Sequence, residues 1–228
     1  GNVHGFGDAA DYDSTAFGQI PIASAVDSLG NGPRTDWGGT INANKVFGLA
    51  GQVDGKGYWA VDKVGHVYAY GSAVHYGEFL VEFPPGDLQW GHDTVSSNGI
   101  ARTCTGLGYW VIYTDGTIKG FGDAAGIGPA GDRVPTTPLS DFLTALNPRF
   151  DYQSRLQGIT SHPHKLGFWG VSRAGEVFSY GDVENYGGLV NLVYNPGLAN
   201  SWALPAVTVS TIEATASGNG YWIADFGG

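Results

Sequence analysis

The stretch Gly57-Tyr58-Trp59-Ala60-Val61-Asp62 alternates in direction but not in polarity. In an extended strand Trp59 and Val61 share one face, and Tyr58 and Ala60 share the other. Gly108 to Tyr113 repeats the pattern, with Trp110 and Ile112 opposed to Tyr109 and Val111. A strand apolar on both faces is a strand buried between two layers. Asp115-Gly116 then gives a hairpin turn, because glycine accepts the positive φ such turns need. Thr117 to Phe121 returns beside the first strand. Each unit is thus a small antiparallel sheet with two faces to bury.

The unit occurs four times. Gly57-Tyr58-Trp59, Gly108-Tyr109-Trp110, Gly167-Phe168-Trp169 and Gly220-Tyr221-Trp222 recur at spacings of 51, 59 and 53 residues. Eight residues before each of these glycines stands Leu49, Ile100, Ile159 or Ile212. Eight residues after the first three come Gly65, Gly116 and Gly175, and then Tyr70-Gly71, Phe121-Gly122 and Tyr180-Gly181. Ser72-Ala73, Asp123-Ala124 and Asp182-Val183 follow directly. Insertions fall between units, never within them. Sheets stacked face to face around an axis bury both faces, which is the β-propeller arrangement.

The fourth unit stops at Gly227-Gly228, where its hairpin turn belongs, and Gly1-Asn2-Val3-His4-Gly5-Phe6-Gly7-Asp8-Ala9 aligns with Gly116 to Ala124. The sequence therefore predicts an all-β, four-bladed β-propeller, closed by pairing of the N-terminal strand with the strand Gly220 to Ala224. The blades fall at about 47–78, 98–128, 157–187 and 210–228 plus 1–13 of a single domain. Long connections separate them, at about 14–46, 79–98, 128–156 and 187–210. Pro138 through Leu146 has helical character, with Ser140 as a cap and Asn147-Pro148 as a stop; Pro21 through Leu29 is a similar short turn.

Composition agrees. The 228 residues include 38 glycines and 13% aromatics but only 14% charged side chains, which suits short strands and tight turns over a helical bundle. The net charge of −10 disfavours nucleic acid and anionic membrane surfaces, and no apolar run is long enough to span a bilayer. Cys104 is the sole cysteine, so neither an intrachain disulfide nor a thiolate zinc cluster is expected. A chain that begins at Gly1 and lacks methionine is expected of a processed protein or a piece of a larger one.

The pattern aliphatic-Ala, Gly-Tyr-Trp, Asp-Gly, Phe-Gly-Asp-Ala and Tyr-Gly resembles a repeat of secreted and cell-surface proteins of actinobacteria and of their phages. The resemblance covers all four units and none of the connections. Unit three departs from it at Phe168 and Ala174-Gly175, and unit one at Val64-Gly65 and Ser72. It implies a propeller-like scaffold in an extracellular or virion setting, attached to other modules, with a recognition role. It lends no catalytic residues.

Function on a repeat scaffold resides in its connections. Trp37, Trp90, Trp202 and Tyr152 lie there and are the candidate ligand-binding residues, offering flat apolar faces to sugar rings. Against this, Trp90 and Trp202 each stand ten residues before their unit's aliphatic residue, and Phe150 nine before, an offset that suits a packing slot. Trp59, Trp110, Trp169 and Trp222 are expected in the core. Asp8, Asp123 and Asp182, with Ser72, share one repeat position and are weak cation candidates around a central channel; a turn role is the simpler reading.

His162-Pro163-His164 is a weak metal candidate in a surface hairpin, without a carboxylate or cysteine at ligand spacing. Cys104 is expected to be a buried inert thiol. Glu78, Asp87, Asp141 and Asp151 are the carboxylates available for glycoside cleavage. The expected function is a non-catalytic recognition and assembly module on a secreted or phage tail protein, with no cofactor. It would bind a cell-envelope glycan or a surface protein. The alternatives are a glycan-cleaving enzyme and a structural spacer in a virion or surface fibre.

Overall fold

In each unit the Gly-aromatic-Trp motif forms a strand paired with the strand before it. The computed structural model describes residues 46–80, 96–135, 156–189 and 209–226. Within them lie eleven strands in four antiparallel sheets. Sheet one holds β1 (Val46–Gly51), β2 (Gly57–Asp62) and β3 (Val67–Gly71); sheet two holds β4 (Ser97–Arg102), β5 (Gly108–Tyr113) and β6 (Ile118–Gly122). Sheet three holds β7 (Leu156–Ser161), β8 (Gly167–Ser172) and β9 (Val177–Gly181); sheet four pairs β10 (Val209–Ala214) with β11 (Tyr221–Asp225).

The motif strands β2, β5 and β8 are buried along their whole length. The expected turns are present: Gly65, Gly116 and Gly175 all adopt positive φ, and the Asp115 carboxylate accepts the Thr117 N–H. Opposite each buried tryptophan stands a small residue, with Trp59 paired to Ala69, Trp110 to Gly120 and Trp169 to Ser179. The indole lies over its own third strand, and its Nε1–H donates to a main-chain carbonyl beyond it. The acceptors are Val74 at 2.7 Å, Ile127 at 2.9 Å and Glu184 at 2.7 Å.

The tryptophan face of each of the first three sheets packs on the opposite face of the next. Trp59 and Val61 meet Tyr109, Val111 and Tyr113. Trp110 and Ile112 meet Phe168 and Leu156, and Trp169 and Val171 meet Val209, Tyr221 and Ile223. The first strands, β1, β4, β7 and β10, adjoin in chain order. Each carries a register shift at its start, between Val46 and Gly48, Ser97 and Gly99, Leu156 and Gly158, and Val209 and Thr211. At that bulge the backbones nearly touch: a Cβ on Gly48 would lie 2.8 Å from the Ile100 nitrogen.

Trp222 does not match the expectation of a core residue. It is 63% exposed, whereas Trp59, Trp110 and Trp169 are fully buried. Among the described residues sheet four has two strands and no sheet follows it, so nothing there covers its tryptophan face. Leu49 is likewise 52% exposed at a position where Ile100 and Ile212 are buried. The expected helical stretches, Pro138 through Leu146 and Pro21 through Leu29, lie outside the described residues, as does the strand at residues 1–9. The helical element that is described is the short 3₁₀ turn Ala130–Asp132. No helix among the described residues is long and apolar enough to cross a membrane.

Candidate functional site

Trp37, Trp90, Trp202, Tyr152 and Asp8 lie outside the described residues, as do Asp87, Asp141 and Asp151. The polar chemistry that is described falls into three recurring devices, the first and third at the joints between successive sheets and the second within a sheet.

The first is a tyrosine clasp. The Tyr109 hydroxyl of sheet two accepts the N–H groups of Tyr76 (3.1 Å) and Gly77 (3.2 Å) and donates to the Gly77 carbonyl (2.6 Å). Tyr221 repeats this in sheet four, accepting from Tyr186 N–H (3.1 Å) and donating to the Gly187 carbonyl (2.5 Å). Burial pushes the Tyr109 pKa up to about 12, so this is a neutral hydroxyl throughout the working range. At the intervening joint Phe168 has no hydroxyl, and there Ile127-Gly128 stands in place of Tyr-Gly, with Ile127 packed into the apolar cluster. Phenylalanine and the altered loop therefore occur together. Tyr109→Phe is expected to cost about 1–3 kcal/mol, because two N–H groups lose their acceptor. Urea denaturation compared with wild type measures this.

The second device links the turn after the third strand to the hairpin before the motif. Ser72 Oγ donates to Asp54 Oδ1 at 2.8 Å, and Thr105 Oγ1 donates to Asp123 Oδ2 at 2.5 Å. Hydroxyl and carboxylate have exchanged places between the two units. This accounts for Ser72 at a position where the other units carry aspartate. Asp123 and Asp182 follow β6 and β9, the strands farthest from the first strands that adjoin between sheets. Their N–H groups extend the strand ladders by donating to the Leu107 and Leu166 carbonyls, which precede β5 and β8. Among the described residues no group of three or more His, Cys, Asp or Glu side chains is placed to hold a metal ion.

The third device is at the hairpins themselves. Gln52 reaches from sheet one to sheet two, its Nε2 donating to the Gly106 carbonyl at 3.1 Å. His162 occupies the same position in sheet three. The surface-hairpin expectation fails for it: only 4% of His162 is exposed, because the hairpin of sheet four covers the ring. His164 is exposed, and its Nε2 donates to the Ala216 carbonyl at 3.1 Å. Cys104 is half-buried, not buried as expected, since it sits in the turn of its hairpin where the thiol is only partly covered.

Glu78, a candidate acid in the sequence, serves as a clamp. Its carboxylate accepts the Val67 N–H at 3.1 Å and lies 3.3 Å from His66 Nδ1 and 3.7 Å from His75 Nε2. This ties residues 75–80 back onto β3. Nearby, Asp62 is buried at the end of β2 and accepts the N–H groups of Val64, Gly65 and His66 together with the Tyr68 hydroxyl. Burial raises the Asp62 pKa against the pull of these donors.

No family model and no curated protein matches the chain. Among solved structures the chain is similar to an auxiliary nutrient binding protein from Bacteroides thetaiotaomicron, at 12% identity and a TM-score of 0.39. The match covers 79% of this chain and 36% of that one, so the chain spans little more than a third of that protein's length. At that score the likeness bears on neither fold nor function.

Proposed function

We propose that the four sheets are blades of one closed ring, and that the ring is a non-catalytic recognition and assembly module of a secreted or phage tail protein that binds a cell-envelope glycan. The observation that carries the ring is the edge of sheet four, where Trp222 is 63% exposed on a strand that has one partner among the described residues. Residues 1–9 have the residue types that edge requires. Placed in the register of β6 on β5, Val3 stands opposite Ala224, Gly5 opposite Trp222 and Phe6 opposite Tyr221. Gly5 is then the small residue that every other tryptophan faces.

The second device supports the same register. Ser217 holds the place of Thr105 and has the same local bonds. Its hydroxyl lies 3.2 Å from Thr215 Oγ1 and accepts the Asn219 N–H at 3.3 Å, as Thr105 does with Thr103 at 2.9 Å and Leu107 N–H at 3.1 Å. Thr105 also has the Asp123 carboxylate; the aligned residue for Ser217 is Asp8.

The recognition role is favoured by the division of labour along the chain. The motif tryptophans of the first three sheets, with Tyr109 and Phe168, are consumed in inter-sheet packing, while the connections carry Trp37, Trp90, Tyr152 and Trp202. Aromatic faces with neighbouring Asp and Asn suit pyranose rings and their hydroxyls. The resemblance to actinobacterial and phage surface repeats supplies the setting. On a panel of cell-wall glycans the domain is expected to bind, and Trp90→Ala to weaken binding about tenfold or more with an unchanged melting temperature. Lost binding together with lost stability would assign Trp90 to packing. Release of sugar products would identify an enzyme, and a panel without binding would favour a spacer.

A further inference from the structure

We propose that the joint between sheets three and four is a proton-sensitive hinge, closed while His162 is neutral and opened when its imidazole is charged. This goes beyond the recognition reading and stands without it. Four residues occupy the equivalent position five places before each motif glycine: Gln52, Thr103, His162 and Thr215. Only one of these titrates.

The hydrogen bonds fix the protonation state of His162. Its Nδ1 accepts two main-chain N–H groups, from His164 and Lys165, each at 2.9 Å. An atom that accepts twice carries a lone pair, so the proton of the neutral ring is on Nε2. That edge of the ring lies against the sheet-four hairpin, where a Cβ on Gly218 would be 2.3 Å from Nε2. One side of the imidazole is over Trp169, with ring centroids 5.5 Å apart, and the His164 ring stands edge-on at 6.2 Å.

A second proton must go to Nδ1. It converts the acceptor into a donor aimed at two other donors, so both bonds are lost at once. Trp169 and the Gly218 main chain stand against the ring and oppose its turning away. Relief comes when the hairpin at 162–167 and the hairpin at 215–220 separate, which also parts Trp169 from Tyr221, now 5.4 Å apart.

The neighbours do not compensate the charge. The charged groups acting on His162 are Lys165 and His164, and both oppose it. The facing hairpin, Thr215 to Gly220, contains no ionisable side chain. On β10 Glu213 is exposed to solvent, and on β11 the Tyr221 hydroxyl is bound to the Gly187 carbonyl. Burial first, and then Lys165 and His164, hold the His162 pKa below its ordinary value of 6.5. Parting the hairpins removes the burial while Lys165 and His164 stay with the ring, so through the burial alone the open form binds the proton more readily than the closed form. The closed joint keeps its full stability above pH 6.5 and loses it as pH falls from there through the lower pKa of the closed state. In that window the opening constant rises by up to about tenfold per pH unit.

Hydrogen-exchange mass spectrometry of the full chain between pH 7.5 and pH 5 tests this, with rates corrected for intrinsic exchange. Peptides covering residues 161–169 and 214–222 should lose protection as pH falls, by up to about tenfold per unit. Peptides at the Gln52–Gly106 joint should not. His162→Gln, which installs the residue type of the first joint, should abolish the acid response. A flat wild-type profile, or a His162→Gln profile that keeps the response, overturns the hinge. If that variant does not fold, His164→Gln must retain the response, and nitrogen NMR of the wild-type imidazole must show Nδ1 unprotonated at pH 7.5. Failure of either result overturns it equally.

Discussion

Trp110→Ala is expected to lower the free energy of unfolding by about 3–5 kcal/mol, the range for deleting a buried aromatic side chain. The residue is fully buried among Ile112, Ile118, Leu156 and Phe168, with the Phe168 ring at 4.8 Å. The substitution leaves a cavity between two sheets whose main chains are fixed by their own ladders, so collapse is limited. It also strips the Ile127 carbonyl of its indole donor. Guanidinium denaturation followed by circular dichroism gives the value. A loss below about 1 kcal/mol would mean that this inter-sheet layer is not a packed core. Trp222→Ala is the informative partner. If the face of sheet four is bare, it costs no more than about 0.5 kcal/mol, as surface substitutions do. If the ring is closed, it costs as much as Trp110→Ala.

Removing residues 1–9 is expected to destabilise the chain by about 3–6 kcal/mol, because Val3 and Phe6 each contribute about 1.5–3 kcal/mol on burial. The loss should be localised. Amide protons of β11 should exchange faster, while those of β5 keep their protection. A synthetic peptide of residues 1–13, added in excess, should restore both stability and protection by mass action. An unchanged denaturation midpoint in the truncated chain would remove the closed ring and leave a row of four sheets. The Trp222→Ala and truncation results must agree, since both report on the same edge.

Much of the scaffold was legible because it depends on residue type at fixed spacing. Two-sided apolar strands, the glycines of the hairpin turns and the recurrence of the motif locate the four sheets and place Trp59, Trp110 and Trp169 inside. The joints were less legible because they join residues far apart in sequence. Nothing in Tyr109 itself says that its hydroxyl meets the main chain of Tyr76 and Gly77, some thirty residues earlier. The signal was present where two repeat positions differ together, Phe168 with Ile127 across a joint and Ser72 with Asp54 within unit one, but only a known register makes it readable. The burial of His162 is hidden from the sequence for a similar reason. A hairpin is a surface element by default, and burial of this ring depends on the neighbouring hairpin, which carries no local mark. The candidate ligand residues belong to the connections and not to the repeat, so the repeat's logic says nothing about them.

The exchanged hydroxyl and carboxylate of units one and two have a consequence for how such genes diversify. Recombination that moved the third strand of unit two into unit one would set Asp54 against Asp123, two acids in one small space; the reciprocal product would set Ser72 against Thr105 with no acid at all. Copies that look alike in their motifs are thus not spare parts for one another. Shuffling whole units preserves this hydroxyl–carboxylate match, whereas crossovers inside a unit break it; a breakpoint in the connection after unit two would keep it but part Phe168 from Ile127.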